Sequence, residues 1–107
     1  MKTINHPPSI ISIDTSKCVE RYDAYVYKYT NIIDGRWYVG WHTGMFDGTY
    51  WHSSKDKEFL KIFSGSKPTL TLEILSTGLI IDMKNLESKI LTEQKVRKNP
   101  LSYNGAG

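Results

Sequence analysis

Ala24-Tyr25-Val26-Tyr27-Lys28-Tyr29-Thr30, Asn31-Ile32-Ile33-Asp34-Gly35 and Arg36-Trp37-Tyr38-Val39-Gly40 follow one another without a break, and their reading decides the fold. The first stretch is rich in aromatic and β-branched residues, which suits a strand. Asp34-Gly35 suits the positive φ of a type I′ hairpin turn, and the third stretch is the return strand. With Asp34-Gly35 as a two-residue turn, Ile33 faces Arg36, Tyr27 pairs with His42 and Tyr29 pairs with Gly40. Side chains alternate along each strand, and cross-strand partners share a face. Tyr25, Tyr27, Tyr29, Tyr38 and His42 then lie on one face, with Val26, Trp37, Val39 and Trp41 on the other. Three uses fit such a tyrosine face: ordinary packing, a stacking platform for single-stranded nucleic acid, or phenols that position a water.

Outward from the hairpin, residues 41–54 carry Gly44, Gly48, His42 and His52 and read as irregular. Residues 56–63 form a short helix, with Phe59, Leu60 and Phe63 at helical spacing and Ser64-Gly65 as the stop. Thr69-Leu70-Thr71-Leu72-Glu73-Ile74-Leu75 alternates and is the third strand. A longer helix covers about residues 82–97, with Asp82 as N-cap, an apolar stripe of Met83, Leu86, Ile90 and Leu91, and Asn99-Pro100 as its end. The order β-β-α-β-α predicts a small α/β (α+β) domain: a three-stranded antiparallel sheet with flanking helices covering one face. Residues 1–22 read as an N-terminal arm or tail, with Pro7-Pro8 extended and Ser9-Ile10-Ile11-Ser12-Ile13 able to add a short edge strand. The domain proper is then residues 23–107.

The 107 residues suffice for one domain with a modest core, and 39% hydrophobic with 23% charged content excludes a disordered chain. A net charge of +3 permits a nucleic-acid partner without requiring one. Cys18 is the only cysteine, so no intrachain disulfide forms and a reducing compartment is expected. No apolar run has the roughly 20 residues of a membrane span. No signal core precedes Pro7, so cytoplasmic residence is the expectation.

Glu87 is placed four residues after Met83, three before Ile90 and four before Leu91. Those spacings put its carboxylate at the margin of the core-facing stripe. Burying it is costly unless it is paired or holds a cation. Lys84, Lys89 or a sheet residue could pair with it, or it is simply exposed at the rim; alternatively it holds one Mg²⁺ with water completing the shell. His42 has an ordinary pKa near neutrality, as a general base needs. His52 reads as a surface residue and His6 as part of the tail. Lys84, Lys89, Lys95, Arg97 and Lys98 gather on and after the last helix, as a solvated face or as contacts to backbone phosphates.

In combination these residues resemble the GIY-YIG nuclease superfamily. Tyr25-Val26-Tyr27 followed by Lys28-Tyr29-Thr30-Asn31 is similar to its first motif, and Tyr38-Val39-Gly40 to its second. The resemblance extends to a phage homing-endonuclease-like subgroup through His42-Thr43, Asp47-Gly48 and Tyr50-Trp51-His52-Ser53-Ser54-Lys55. Glu87 matches the metal-binding glutamate, and Asn99-Pro100-Leu101-Ser102-Tyr103-Asn104 the closing motif. Tyr25 and His52 stand where glycines are usual. The arginine of the first helix has no counterpart, since no arginine lies between Arg36 and Arg97; Lys55, Lys57 and Lys61 are the nearby cations.

The resemblance implies a divalent-metal-dependent endonuclease acting on double-stranded DNA, encoded by a phage or mobile element and resident in the host-cell cytoplasm. Mg²⁺ or Mn²⁺ would sit on Glu87. Tyr38 or His42 would take the proton of the attacking water, and Tyr27 would orient the water or the phosphate. Lys55 or Lys61 would offset phosphate charge, and Asn104 would hold substrate or Glu87. Relatives often continue into a separate DNA-binding region; the sequence here stops at Gly107, either as a stand-alone domain, for which low sequence specificity is the expectation, or as a fragment. Two other readings compete: a related domain that binds nucleic acid without cutting, and a protein-interaction domain using its three tryptophans and seven tyrosines.

Overall fold

The computed structural model describes residues 6–94 and 101–103. In chain order its elements are β1 (Ile10–Asp14), β2 (Ala24–Asn31), β3 (Trp37–Thr43), α1 (Lys57–Phe63), β4 (Leu70–Gly78) and α2 (Ile80–Glu93). The fold is mixed α+β, with a four-stranded sheet in the order β1-β4-β2-β3. The expected sheet of three strands is therefore short by one. β2 pairs antiparallel with both β3 and β4, and β1 adds in parallel to the far side of β4. Ser9–Asp14 is accordingly no free arm: Ile10 lies in the core, and the buried Ser9 donates its Oγ hydrogen to Phe63 O at 2.6 Å.

The hairpin is closed differently from the expected two-residue turn. Tyr27 pairs with Gly40, Tyr29 with Tyr38 and Tyr25 with His42, a register shifted by two from the Asp34-Gly35 hairpin. Asn31 causes the shift. Its Oδ1 accepts from Ile33 N at 3.0 Å, and its carbonyl accepts from Gly35 N at 2.8 Å. Its own N–H donates to Arg36 O at 2.8 Å, so the chain reverses around Ile32–Gly35 with Gly35 at φ +76°. Ile33 is left 75% exposed instead of paired. A slip of one residue would have exchanged the faces of the strand, but a slip of two preserves them. The faces read from the sequence therefore stand.

Both faces of the sheet are covered, one by each helix. Two helices on a single face, as expected, would have left Val26 and Val39 in water. On one face Tyr25, Tyr27, Tyr29 and Tyr38 pack with Ile10, Leu72, Ile74 and the fully buried Phe59 of α1. Phe59 lies 5.3 Å from Tyr29 and 5.2 Å from Tyr38, centroid to centroid. On the other, Ala24, Val26, Trp37 and Val39 meet Met83 of α2, with Leu86, Ile90 and Leu91 packed behind it. The stripe expected for the last helix is the one it buries.

Helix α1 begins where Asp56 caps it, its Oδ1 accepting from Phe59 N at 2.8 Å. Helix α2 begins two residues earlier than expected. Leu79 occupies the cap with no side-chain bond, and Asp82 falls in the first turn, where its charge favours the helix dipole. The expected end of this helix, at Asn99-Pro100, lies outside the described residues. Ser102 bridges to Trp37, and Tyr103 is buried against Phe59 at 5.5 Å.

Phe59 is the one wholly buried residue of α1. Phe59→Ala is expected to cost about 3–5 kcal/mol of stability in denaturant unfolding, while Leu60→Ala on the exposed flank costs under about 1 kcal/mol.

Candidate active site

The site lies along β3, a sheet edge, where Tyr27, Tyr38, His42 and Glu87 line one cavity of about 300 Å³. Gly40, Trp41, Thr43, Tyr50 and Ser53 complete its wall. Tyr27 belongs to the inner strand β2, so its phenol reaches the edge only by crossing β3. It does so over Gly40, its cross-strand partner. A β-carbon on Gly40 would fall 2.6 Å from Tyr27 Cζ and closer still to the hydroxyl. The glycine of Tyr38-Val39-Gly40 is thus explained by close approach, not by backbone conformation. Glu87 arrives from α2, on the opposite face of the sheet. Only an edge strand lets a side chain from one face share a cavity with residues of the other.

The phenols form a hydroxyl network. Tyr27 Oη lies 3.4 Å from Tyr50 Oη, and Tyr50 Oη is hydrogen-bonded to Ser53 Oγ. Burial, then the neighbouring Tyr38, holds the Tyr27 phenol far above the usual range. Burial raises Tyr38 as well, and the charge of Glu87 adds to it, although the hydrogen bond with Tyr27 works in the other direction. Both tyrosines are neutral at any working pH, and each keeps its hydroxyl proton. Of the two residues expected to accept the proton, His42 is the one whose protonation state suits that role. Burial lowers the His42 pKa below its ordinary 6.5, with Asp47 opposing, so the ring is neutral and able to accept.

Glu87 is half-buried, and burial raises its pKa above the ordinary 4.5. Among the described residues no cation pairs with it: Lys89 instead meets Glu93 at 3.9 Å, and Lys84 is exposed. No three His, Cys, Asp or Glu side chains gather into a metal cluster among the described residues. The donor set is one desolvated carboxylate beside hydroxyl groups. That set fits Mg²⁺ or Mn²⁺, hard ions that keep most of their water and need few protein ligands.

The other expected site residues are not brought here. Lys61 lines a separate cavity with Asn31, Ile33 and Lys67, and Lys55 is exposed outside the site wall. Helix α1 points its N-terminal half at the core through Phe59, which turns Lys61 toward the Asn31 end of β2. Among the described residues no lysine or arginine lines the tyrosine–glutamate cavity. Arg36 is held elsewhere, ion-paired with Glu58 and 4.2 Å over the Tyr103 ring. Lys95, Arg97, Lys98 and Asn104 lie outside the described residues. His52, expected at the surface, is half-buried between Phe59 and Phe63, at 5.0 and 4.4 Å. The tyrosine face is not a stacking platform, since Tyr25, Tyr27 and Tyr29 are no more than 2% exposed.

Tyr50 and Ser53 were absent from the expected site. They come from the irregular segment between β3 and α1, where no periodicity announces which way a side chain points. That segment is laid across the tyrosine face by Tyr29 Oη donating to Trp51 O at 2.9 Å and Phe46 N donating to Tyr22 Oη at 2.9 Å.

Two outcomes follow from this geometry. Gly40→Ala is expected to cost about 1–3 kcal/mol by overpacking and to displace the Tyr27 ring, visible as altered near-UV circular dichroism. Glu87 has a folded-state pKa above its unfolded value, so its ionisation destabilises the fold as pH rises through that range. Glu87→Gln should raise the melting temperature at pH 8 and leave it nearly unchanged at pH 3, well below the ordinary 4.5, where the carboxyl is protonated in both states; no gain at pH 8 would show a stabilised carboxylate instead.

No family model, curated protein or solved structure was found to match the chain.

Proposed function

We propose that the chain is a divalent-metal-dependent DNA endonuclease that hydrolyses phosphodiester bonds with a GIY-YIG-type site. One observation carries the reading: Tyr27, Tyr38, His42 and Glu87, drawn from three elements and both faces of the sheet, line a single cavity. Packing alone has no use for a half-buried carboxylate that no cation among the described residues pairs with. The succession β2-β3-α1-β4-α2 also follows the β-β-α-β-α order read from the sequence, with β1 added outside it.

The residues divide the work by their protonation states. Neutral His42 accepts a proton from the water that attacks phosphorus, as the new P–O bond forms and the bond to the 3′ oxygen breaks. The phenols of Tyr27 and Tyr38 donate hydrogen bonds to the water or to phosphate oxygens, and Tyr50 and Ser53 keep the Tyr27 hydroxyl oriented. Glu87 would hold Mg²⁺ or Mn²⁺, which supplies Lewis-acid stabilisation of charge on the phosphate. Exposed Lys84 and Lys89 on α2 would meet the backbone of double-stranded DNA, giving salt-sensitive binding with little sequence information.

A second reading, binding without cleavage, draws on the lack of a lysine or arginine among the described residues lining the cavity. Nicking of supercoiled plasmid separates the two. Wild-type protein with Mg²⁺ or Mn²⁺ is expected to nick, EDTA to abolish nicking, and Glu87→Ala to lower it by at least on the order of 10²-fold with folding intact. A folded wild type that shifts DNA in salt-sensitive fashion but never cuts it would leave the second reading; equal nicking by Glu87→Ala would remove the first.

A further inference from the structure

The His42 imidazole is held in an unusual way. A catalytic histidine is ordinarily oriented by a hydrogen bond from its second ring nitrogen to a carboxylate or carbonyl. The contacts of the His42 ring are aromatic, and the Asp47 carboxylate acts on it through its charge. Tyr50 lies flat against it, with centroids 3.5 Å apart and planes within 5°. Most other aromatic contacts on this side of the sheet are steep, such as Tyr22–Tyr25 at 87° and Tyr27–Tyr29 at 82°. Packed rings favour edge-to-face or offset contact over close superposition. The flat Tyr50–His42 pair stands apart even from Phe59–Phe63, which is stacked at 5.9 Å and 27°.

Tyr50 is itself fixed at its far end. Its hydroxyl is bonded to Ser53 Oγ and lies 3.4 Å from Tyr27 Oη. A ring anchored at the hydroxyl and pressed flat on the imidazole restrains the imidazole plane. It also covers one face, leaving the ring edge, where both nitrogens lie, for the cavity that the two residues share. Tyr25 adds only an edge contact at 6.0 Å.

We infer that Tyr50 is the positioning residue for His42, its stacked ring doing the orienting that a hydrogen-bonded carboxylate does elsewhere. In its catalytic consequence the inference rests on the reading of His42 as the proton acceptor. Tyr50 is partly buried on a loop, packed against the outside of the aromatic cluster and not within the sheet, so each variant's fold is checked by circular dichroism.

The test compares Tyr50→Phe, which keeps the ring, with Tyr50→Leu, which removes it. Two readouts are taken: the ring-current shifts of the His42 ring protons by NMR, and plasmid nicking resolved into kcat and KM. Upfield-shifted His42 protons are expected in wild type and Tyr50→Phe and lost in Tyr50→Leu. For nicking, Tyr50→Leu should lose on the order of 10²-fold in kcat with KM within about twofold, and Tyr50→Phe, which keeps the stack and gives up only the hydroxyl bonds, should lose clearly less, on the order of tenfold. Unshifted His42 protons in the wild type, or shifts that persist in Tyr50→Leu, would overturn the inference. So would equal kcat losses in both variants, which would assign the effect to the hydroxyl. A wild type that does not nick would remove the proposed function, while the NMR comparison would still decide whether Tyr50 positions His42.

Discussion

The passage of the Tyr27 ring over Gly40 is the constraint on which the remainder of this site depends. β2 is an inner strand, and its side chains belong to the core. For one of them to carry a hydroxyl to the sheet edge, the neighbouring position on β3 must offer no side chain. Glycine at position 40 meets that need, and the β-carbon test shows how little room there is. The phenol so delivered meets Tyr38, Tyr50 and Ser53, and the cavity forms around them. Burial then does the electrostatic work, since it keeps the phenols protonated, the imidazole neutral and the carboxylate reluctant to ionise.

The two faces of the sheet divide labour. The Phe59 face is aromatic and carries most of the site. The Met83 face is aliphatic apart from Trp37 and Trp41, and its helix contributes Glu87. Because β3 is an edge, the carboxylate reaches the phenols without a gap in the sheet. β1 adds on the far side of β4, so the sheet grows at the opposite edge and β3 remains an edge strand. The order of strands is therefore part of the chemistry proposed for the cavity.

What the sequence made legible were quantities set by local periodicity. Alternation from Tyr25 to Thr30 separated the two faces, and helical spacing around Glu87 placed it at the core margin; both hold in the structure. The hairpin register was not legible, because Asp34-Gly35 announces a tight turn and the competing Asn31 side chain announces nothing until its hydrogen bonds are seen. Nor was the placement of Tyr50, His52 and Lys61. The first two belong to a segment without period, and the third is turned away by the burial of Phe59 on the same helix. Ser9–Asp14 was readable as a strand, but nothing local specified a parallel partner sixty residues away.

Trp41 has a consequence beyond packing. It is half-buried on the Met83 face, and it also lines the cavity beside Glu87. Of the three tryptophans, it alone is among the residues described as lining that cavity; Trp37 is enclosed beneath α2, and Trp51 packs edge-on to Phe46. The molecule thus carries an intrinsic fluorophore at the mouth of its own site, and with Trp37 and Trp51 replaced, its emission would give an optical signal of whatever enters.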